Sequence, residues 1–272
     1  MSSIESRESK IAVAMTYLQN GLIDHTVDEV LLGPEAHRIN NGKLSCPDPD
    51  SLRSIIVREP VGSIHNLRWV VDGDDAVVVY DLMVDWTRSQ QSETFSDPST
   101  WTLSFIGERF HIVDGLIREI EVCYAPDGDR HEPLERPART PPPSEQIPAR
   151  EEVIAICQTY VDALLTGDGS SVKLAPYAWR IENGRDMGDS GEAIQQMLTS
   201  MLRDGPKVVT GLDDLRWYVE GEEAVAFYTL TIDPTALGQE GAEPVDMPIV
   251  ERFRVHDGLI TEVEPVIPGW IE

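Results

Sequence analysis

Two glutamates stand out among the residues able to do chemistry. Glu251 lies in IVERFRV (249–255), where strand alternation puts Ile249, Glu251, Phe253 and Val255 on one face and Arg252 and Arg254 on the other. Glu108 repeats this in IGERFHI, with Ile106, Phe110 and Ile112 beside it and Arg109 opposite. A carboxyl among apolar neighbours is costly to ionise, so its pKa rises. A neutral carboxylic acid of this kind can donate a hydrogen bond to an oxygen that is gaining charge, as happens when a proton is removed next to a carbonyl. The plainer alternative is that both glutamates pair with arginines and simply hold a sheet together.

Other chemistries are poorly supplied. The three cysteines, Cys46, Cys123 and Cys157, are scattered and odd in number, which argues for a reducing, cytoplasmic setting without a disulfide framework. Cys157 is most simply a core residue. His25, His37, His65 and His111 have no metal-ligand spacing, and no H-E-x-x-H or Cys/His cluster suggests zinc, so no metal is expected. His37, beside Arg38, is the histidine to watch, and His256, next to an Asp-Gly turn, is expected to be exposed. No Gly-rich phosphate loop suggests a nucleotide, and no cofactor is expected.

The net charge of −26 is spread over both halves of the 272-residue chain. It argues against nucleic acid or an anionic membrane as a partner, since phosphate contacts need Lys/Arg clusters. No apolar run approaches the roughly 18 residues of a membrane span, and the polar N-terminus carries no secretory signal.

The elements that must position the glutamates occur twice. RWVVDGDDAVVVY (68–80) returns as RWYVEGEEAVAFY (216–228), each an apolar run, an acidic Gly-containing turn and a second apolar run, hence a β-hairpin. Residues 8–22 set Ile11, Ala14, Leu18 and Leu22 at helical spacing with Tyr17 beside them. Residues 151–166 do the same with Ile154, Cys157, Val161 and Leu164, and with Tyr160 in the place of Tyr17. Segments 31–43 and 173–185 share the skeleton L-x-P-x-A-x-R-I-x-N-G, read as a turn, a short extended piece and a second turn. A further helix carries Ile194, Met197, Leu198 and Met201, is capped by Asp189 or Ser190 and stops near Gly205-Pro206. Leu52, Ile55 and Ile56 are its first-copy equivalents. Segments 86–100 and 234–248 read as loops or a Pro-broken strand pair. Both copies end in a strand, an Asp-Gly turn and a last strand.

The chain is therefore one α+β domain written twice: a first domain over 1–124, a Pro-rich linker over 125–149 and a second domain over 150–272. Each would pack helices on one face of a curved antiparallel sheet, and the two could stack as a pseudo-dimer within one monomeric chain.

Each copy resembles the nuclear-transport-factor-two-like superfamily of cone-shaped, SnoaL-like folds, most plainly in the ending F-x-V-x-D-G-L-I. Such a resemblance implies the fold and leaves the activity open. The second copy is also similar to ketosteroid isomerase, in which a carboxylate base works against an oxyanion hole made of a Tyr and a protonated carboxylic acid. That resemblance implies Glu182 as base and Tyr160 and Glu251 as hydrogen-bond donors. The first copy has Tyr17, Asn40 and Glu108 at the same places. A neutral amide cannot act as a base, so the first copy is expected to be a scaffold or a binding-only pocket.

The function implied is cofactor-free proton transfer next to a carbonyl of an apolar cyclic molecule, steroid- or polyketide-like. Two alternatives accompany it: a tandem small-molecule-binding or interaction module without chemistry, and an epoxide hydrolase of the same superfamily. The structural alternatives for the site residues are that Tyr160 is an ordinary partly buried helix residue and that Glu182 bonds Arg180 or caps a turn.

Overall fold

The computed structural model describes residues 6–85, 97–127, 129–134, 147–203 and 207–269, with the backbone alone over 201–203. Most of the expected 86–100 loop, parts of the expected linker, the helix stop at Gly205-Pro206 and the Met201 side chain lie outside the described residues. The chain divides into two compact units, Met1–Arg136 and Pro137–Ile267, with the last residues grouped with the first unit.

In the first unit, α1 (Arg7–Met15) runs on into a π-helical stretch, Thr16–Ile23. β1 (Leu32–Asn40), β2 (Lys43–Cys46), α2 (Pro49–Ile56), β3 (Val61–Asp72), β4 (Asp75–Val84), β5 (Thr102–Val113) and β6 (Leu116–Asp127) follow. The second unit repeats the order: α3 (Arg150–Thr166), β7 (Leu174–Glu182), β8 (Arg185–Gly188), α4 (Gly191–Arg203), β9 (Val209–Glu220), β10 (Glu223–Ile232), β11 (Val245–His256) and β12 (Leu259–Val266). Each unit has one six-stranded sheet, in the orders β2-β1-β6-β5-β4-β3 and β8-β7-β12-β11-β10-β9. This is the expected cone-shaped α+β arrangement, present twice. The sheets are mixed rather than wholly antiparallel, because β1 pairs with β6, and β7 with β12, in parallel. Three hairpin reversals fix the direction of β6, and that direction runs along β1.

Turn chemistry sets the strand registers. Asn41-Gly42, Asn183-Gly184, Asp114-Gly115 and Asp257-Gly258 all have positive φ at both positions, the requirement of a two-residue type I′ hairpin. The shared R-I-x-N-G skeleton thus ends in the expected turn, which closes a hairpin with the short strand that follows. Its asparagine does a second job. Asn183 Nδ2 donates to the Ile267 carbonyl at 2.7 Å and its Oδ1 accepts from the Ile267 N–H at 3.0 Å, tying the β7 end to the residue that follows β12. Asn66 and Asp214, also at positive φ, sit where the β3–β4 and β9–β10 registers shift. These bulges bend the long strands, which curves each sheet around its helix.

The helices cover the concave faces. Asp48 caps α2 in a capping box, and Ser190 Oγ accepts from the Ala193 N–H at the start of α4. Tyr17 and Tyr160, expected beside the helical stripes, lie fully buried within them. Each packs edge-on against the Phe of the closing motif: Tyr17 on Phe110 at 5.4 Å and Tyr160 on Phe253 at 5.5 Å. The hairpin tryptophans Trp69 and Trp217 lie against the same two rings. Helical spacing predicted one regular helix over 8–22; the structure widens it to a π-helix from Thr16, whereas α3 stays regular. Gly21 permits the close approach there, since a Cβ on it would meet Ile56 at 3.0 Å.

Arginines occupy the opposite sheet faces, as alternation requires. Arg109 is ion-paired with Asp75, Glu119 and Glu121, and Arg252 with Glu223, Glu262 and Glu264. His256 is a correction to the expectation of exposure: its side chain is 14% exposed and its Nδ1 lies 3.2 Å from Glu222. His37 belongs to this outer face, 3.0 Å from Glu119. No helix among the described residues is long and apolar enough to cross a membrane.

Candidate ligand site

Each domain focuses the same side chains on the space between its first helix and its sheet. In the second, Ala226 faces Glu251 across β10–β11 and Tyr228 faces Ile249. Tyr228 and Glu251 are therefore diagonal neighbours on one face, within reach of a long side chain. The Tyr228 hydroxyl donates to Glu251 Oε2 at 2.6 Å. The same register in β4–β5, with Val78 facing Glu108, lets Tyr80 donate to Glu108 Oε2 at 2.7 Å. Arg180 and Glu182 alternate onto one face of β7, as Arg38 and Asn40 do on β1.

Burial lifts both carboxyls. Glu108 rises from 4.5 to about 7 through loss of water, against the opposing pull of Arg38 and the Tyr80 hydrogen bond. Glu251 also reaches about 7, again through burial, with Arg180 and Tyr228 opposing. Burial pushes the Tyr17 and Tyr160 hydroxyls far above the ordinary phenol range, so both remain protonated donors at neutral pH.

The domains differ in what their arginine does. Arg180 Nε donates to the Tyr160 hydroxyl at 2.8 Å, and its Nη2 lies 2.6 Å from Glu182 Oε2. Tyr160, Glu182 and Glu251 are thus brought together around Arg180, and the carboxylate placed as a base is held by a guanidinium. In the first domain Arg38 instead reaches Glu59, 3.2 Å away in the link between α2 and β3. The fully buried Tyr17 hydroxyl has no hydrogen-bond partner, and neither Arg38 Nε nor Asn40 Oδ1 has one. All three atoms belong to residues lining a cavity of about 210 Å³, together with Glu59, Tyr80, Glu108 and Tyr124. The rest of the wall is apolar, with Leu22, Leu82, Ile106 and Val122 among its members.

The sequence reading identified the helix tyrosines, the buried glutamates and the 40/182 position. It missed Tyr80 and Tyr228 as their partners, and it considered Arg180 only as a partner for Glu182. The signal was present: both tyrosines close the repeated RW hairpin, and both arginines sit in the repeated R-I-x-N-G. Among the described residues no group of three or more His, Cys, Asp or Glu side chains is placed to hold a metal ion.

The family model described as a domain of unknown function (DUF8021) matches the chain twice, over residues 3–124 and 146–267. No curated protein matches the chain. Solved structures that resemble parts of it include a putative SnoaL-like polyketide cyclase from Shewanella putrefaciens CN-32, at 18% identity and a TM-score of 0.37, covering 44% of this chain and 80% of that one. An LEH-like epoxide hydrolase from M. tuberculosis aligns at 21% identity with a TM-score of 0.35, over 44% of this chain and 85% of its own. A putative hydroxylase from Streptomyces galilaeus aligns at 20% identity with a TM-score of 0.35, over 44% and 80%.

Proposed function

This chain belongs to the DUF8021 family, and from the site its two halves share we propose that it is a small-molecule-binding protein whose ligand occupies the first-domain cavity. The observation that carries this reading is the fully buried, partnerless hydroxyl of Tyr17, a residue of a cavity wall that combines aliphatic side chains with a few polar ones. A buried polar group without a partner costs about 1–3 kcal/mol, which a ligand oxygen would recover. Apolar walls with a few convergent polar groups are the usual design of a ligand pocket.

The cavity volume sets the size class. A cavity of roughly 150 Å³ takes benzene, so about 210 Å³ suits a compact monocyclic molecule and is too small for a steroid. Glu108, with its pKa near neutrality, links binding to pH: a ligand that accepts a hydrogen bond from the protonated acid binds more tightly below pH 7.

The proton-transfer reading keeps its two hydrogen-bond donors in both domains. It has no free base, since Asn40 is an amide and Glu182 is engaged by Arg180. Binding without turnover is therefore the better-supported function. The test is an NMR titration with a graded panel of neutral cyclic ketones, from one ring to four. The reading expects saturable shifts at Leu22 and Ile106 with one-ring members only, lost when Leu82→Trp fills the cavity. Saturation by four-ring members, or shifts unaffected by the filled cavity, would overturn it.

A further inference from the structure

The unmet hydrogen-bonding groups of the cavity describe the ligand's polar end. Tyr17 Oη and Arg38 Nε are donors; Asn40 Oδ1 is an acceptor only. In the second domain the equivalent arginine Nε donates directly to the equivalent tyrosine hydroxyl oxygen, at 2.8 Å. In the first neither atom has a partner, so both can donate to one ligand oxygen. Asn40 is two residues further along the same strand face, roughly 6–7 Å away at the backbone. Its oxygen accepts no hydrogen bond in the structure and needs a separate donor.

Resting on the ligand-site reading above, we infer that the first-domain ligand is a compact neutral hydroxy-carbonyl compound. Its carbonyl oxygen accepts from Tyr17 and Arg38, and its hydroxyl donates to Asn40 Oδ1. The charges agree with a neutral ligand. Arg38 is already compensated by Glu59, so an anion would compete with an ion pair that is in place. A cation would meet the Arg38 guanidinium in the wall. A plain hydrocarbon leaves all three groups unmet, and a simple ketone leaves the Asn40 oxygen unmet. Sites built to bond a hydroxyl discriminate against analogues that lack it.

The test compares 3-hydroxycyclohexanone, 3-methoxycyclohexanone, cyclohexanone and methylcyclohexane on the full-length protein by NMR titration. The hydroxyketone is expected to bind roughly tenfold more tightly than the methoxy compound or the plain ketone, the equivalent of about one hydrogen bond. Asn40→Leu should erase that advantage. Tyr17→Phe should weaken both ketones alike. The ligand series on wild type stands without either variant, so misfolding of a variant does not remove the test. If hydroxyketone, methoxyketone and ketone bind equally, the cavity remains a ligand site and this assignment of its polar end is wrong. If none of the four binds, the ligand-site reading fails and takes this inference with it.

Discussion

Arg180 donates to the hydroxyl of Tyr160 at 2.8 Å, and this contact separates two otherwise matching sites. In the first domain the corresponding arginine turns to Glu59 and the tyrosine hydroxyl is left unpartnered over a cavity. The deciding position is two residues beyond the arginine on the same strand face. Glu182 offers a carboxylate that holds Arg180 across Tyr160; Asn40 offers a neutral amide, and Arg38 pairs elsewhere.

Asn40→Glu should therefore convert the first site to the state of the second. Arg38 gains a carboxylate two residues away and is drawn towards Tyr17. Affinity for any cavity ligand is expected to fall at least about tenfold, with the fold intact by circular dichroism. Unchanged affinity would show that this position does not control the cavity.

The two buried glutamates give the stability curve a defined slope. Each has a folded-state pKa of about 7 against an ordinary 4.5. The folded state therefore binds more protons than the unfolded one between those values, and their contribution is fully present below pH 4.5. It is lost as pH rises towards 7 and levels off above it. Denaturant unfolding should show Glu108→Gln and Glu251→Gln to be less pH-dependent than wild type across that window, by on the order of a few kcal/mol each. Parallel curves would mean that the carboxyls are ionised throughout.

How much of this was legible in the sequence follows from what each signal encodes. Turn positions were legible because Asn-Gly and Asp-Gly are the dipeptides that tolerate two successive positive φ values. The buried glutamates were legible because a strand of period two leaves no choice of face. The parallel seam between β1 and β6 was not, since residues more than 80 positions apart meet there through the tertiary path of the chain. The difference between the sites was not legible either: both arginines occupy the same strand position, and their partners come from other elements. Glu59 in particular lies in the short link between α2 and β3, with nothing in its local sequence to mark it.

Asn183 should prove to be a structural residue. Asn183→Ala removes both hydrogen bonds to the Ile267 backbone. The expected cost is about 1–3 kcal/mol in urea unfolding, because a backbone pair loses its partner. A change below about 0.5 kcal/mol would mean that water replaces the side chain freely.

Tyr228→Phe should destabilise by a similar amount, since it strips a fully buried carboxyl of its 2.6 Å donor. It should also raise the apparent pKa of Glu251, because the lost hydrogen bond favours the ionised form. Carboxyl 13C titration by NMR reads this directly. An unmoved or lowered value contradicts the assigned geometry.

The most direct test of the central claim is the affinity of a saturating one-ring ketone for wild type and for Tyr17→Phe, measured beside Tyr160→Phe. The account predicts that the Tyr17 change weakens binding by roughly tenfold, and that the Tyr160 change, made where Arg180 already holds the hydroxyl, leaves it untouched. Loss of binding in Tyr160→Phe with Tyr17→Phe unaffected would place the ligand in the second domain and contradict the account.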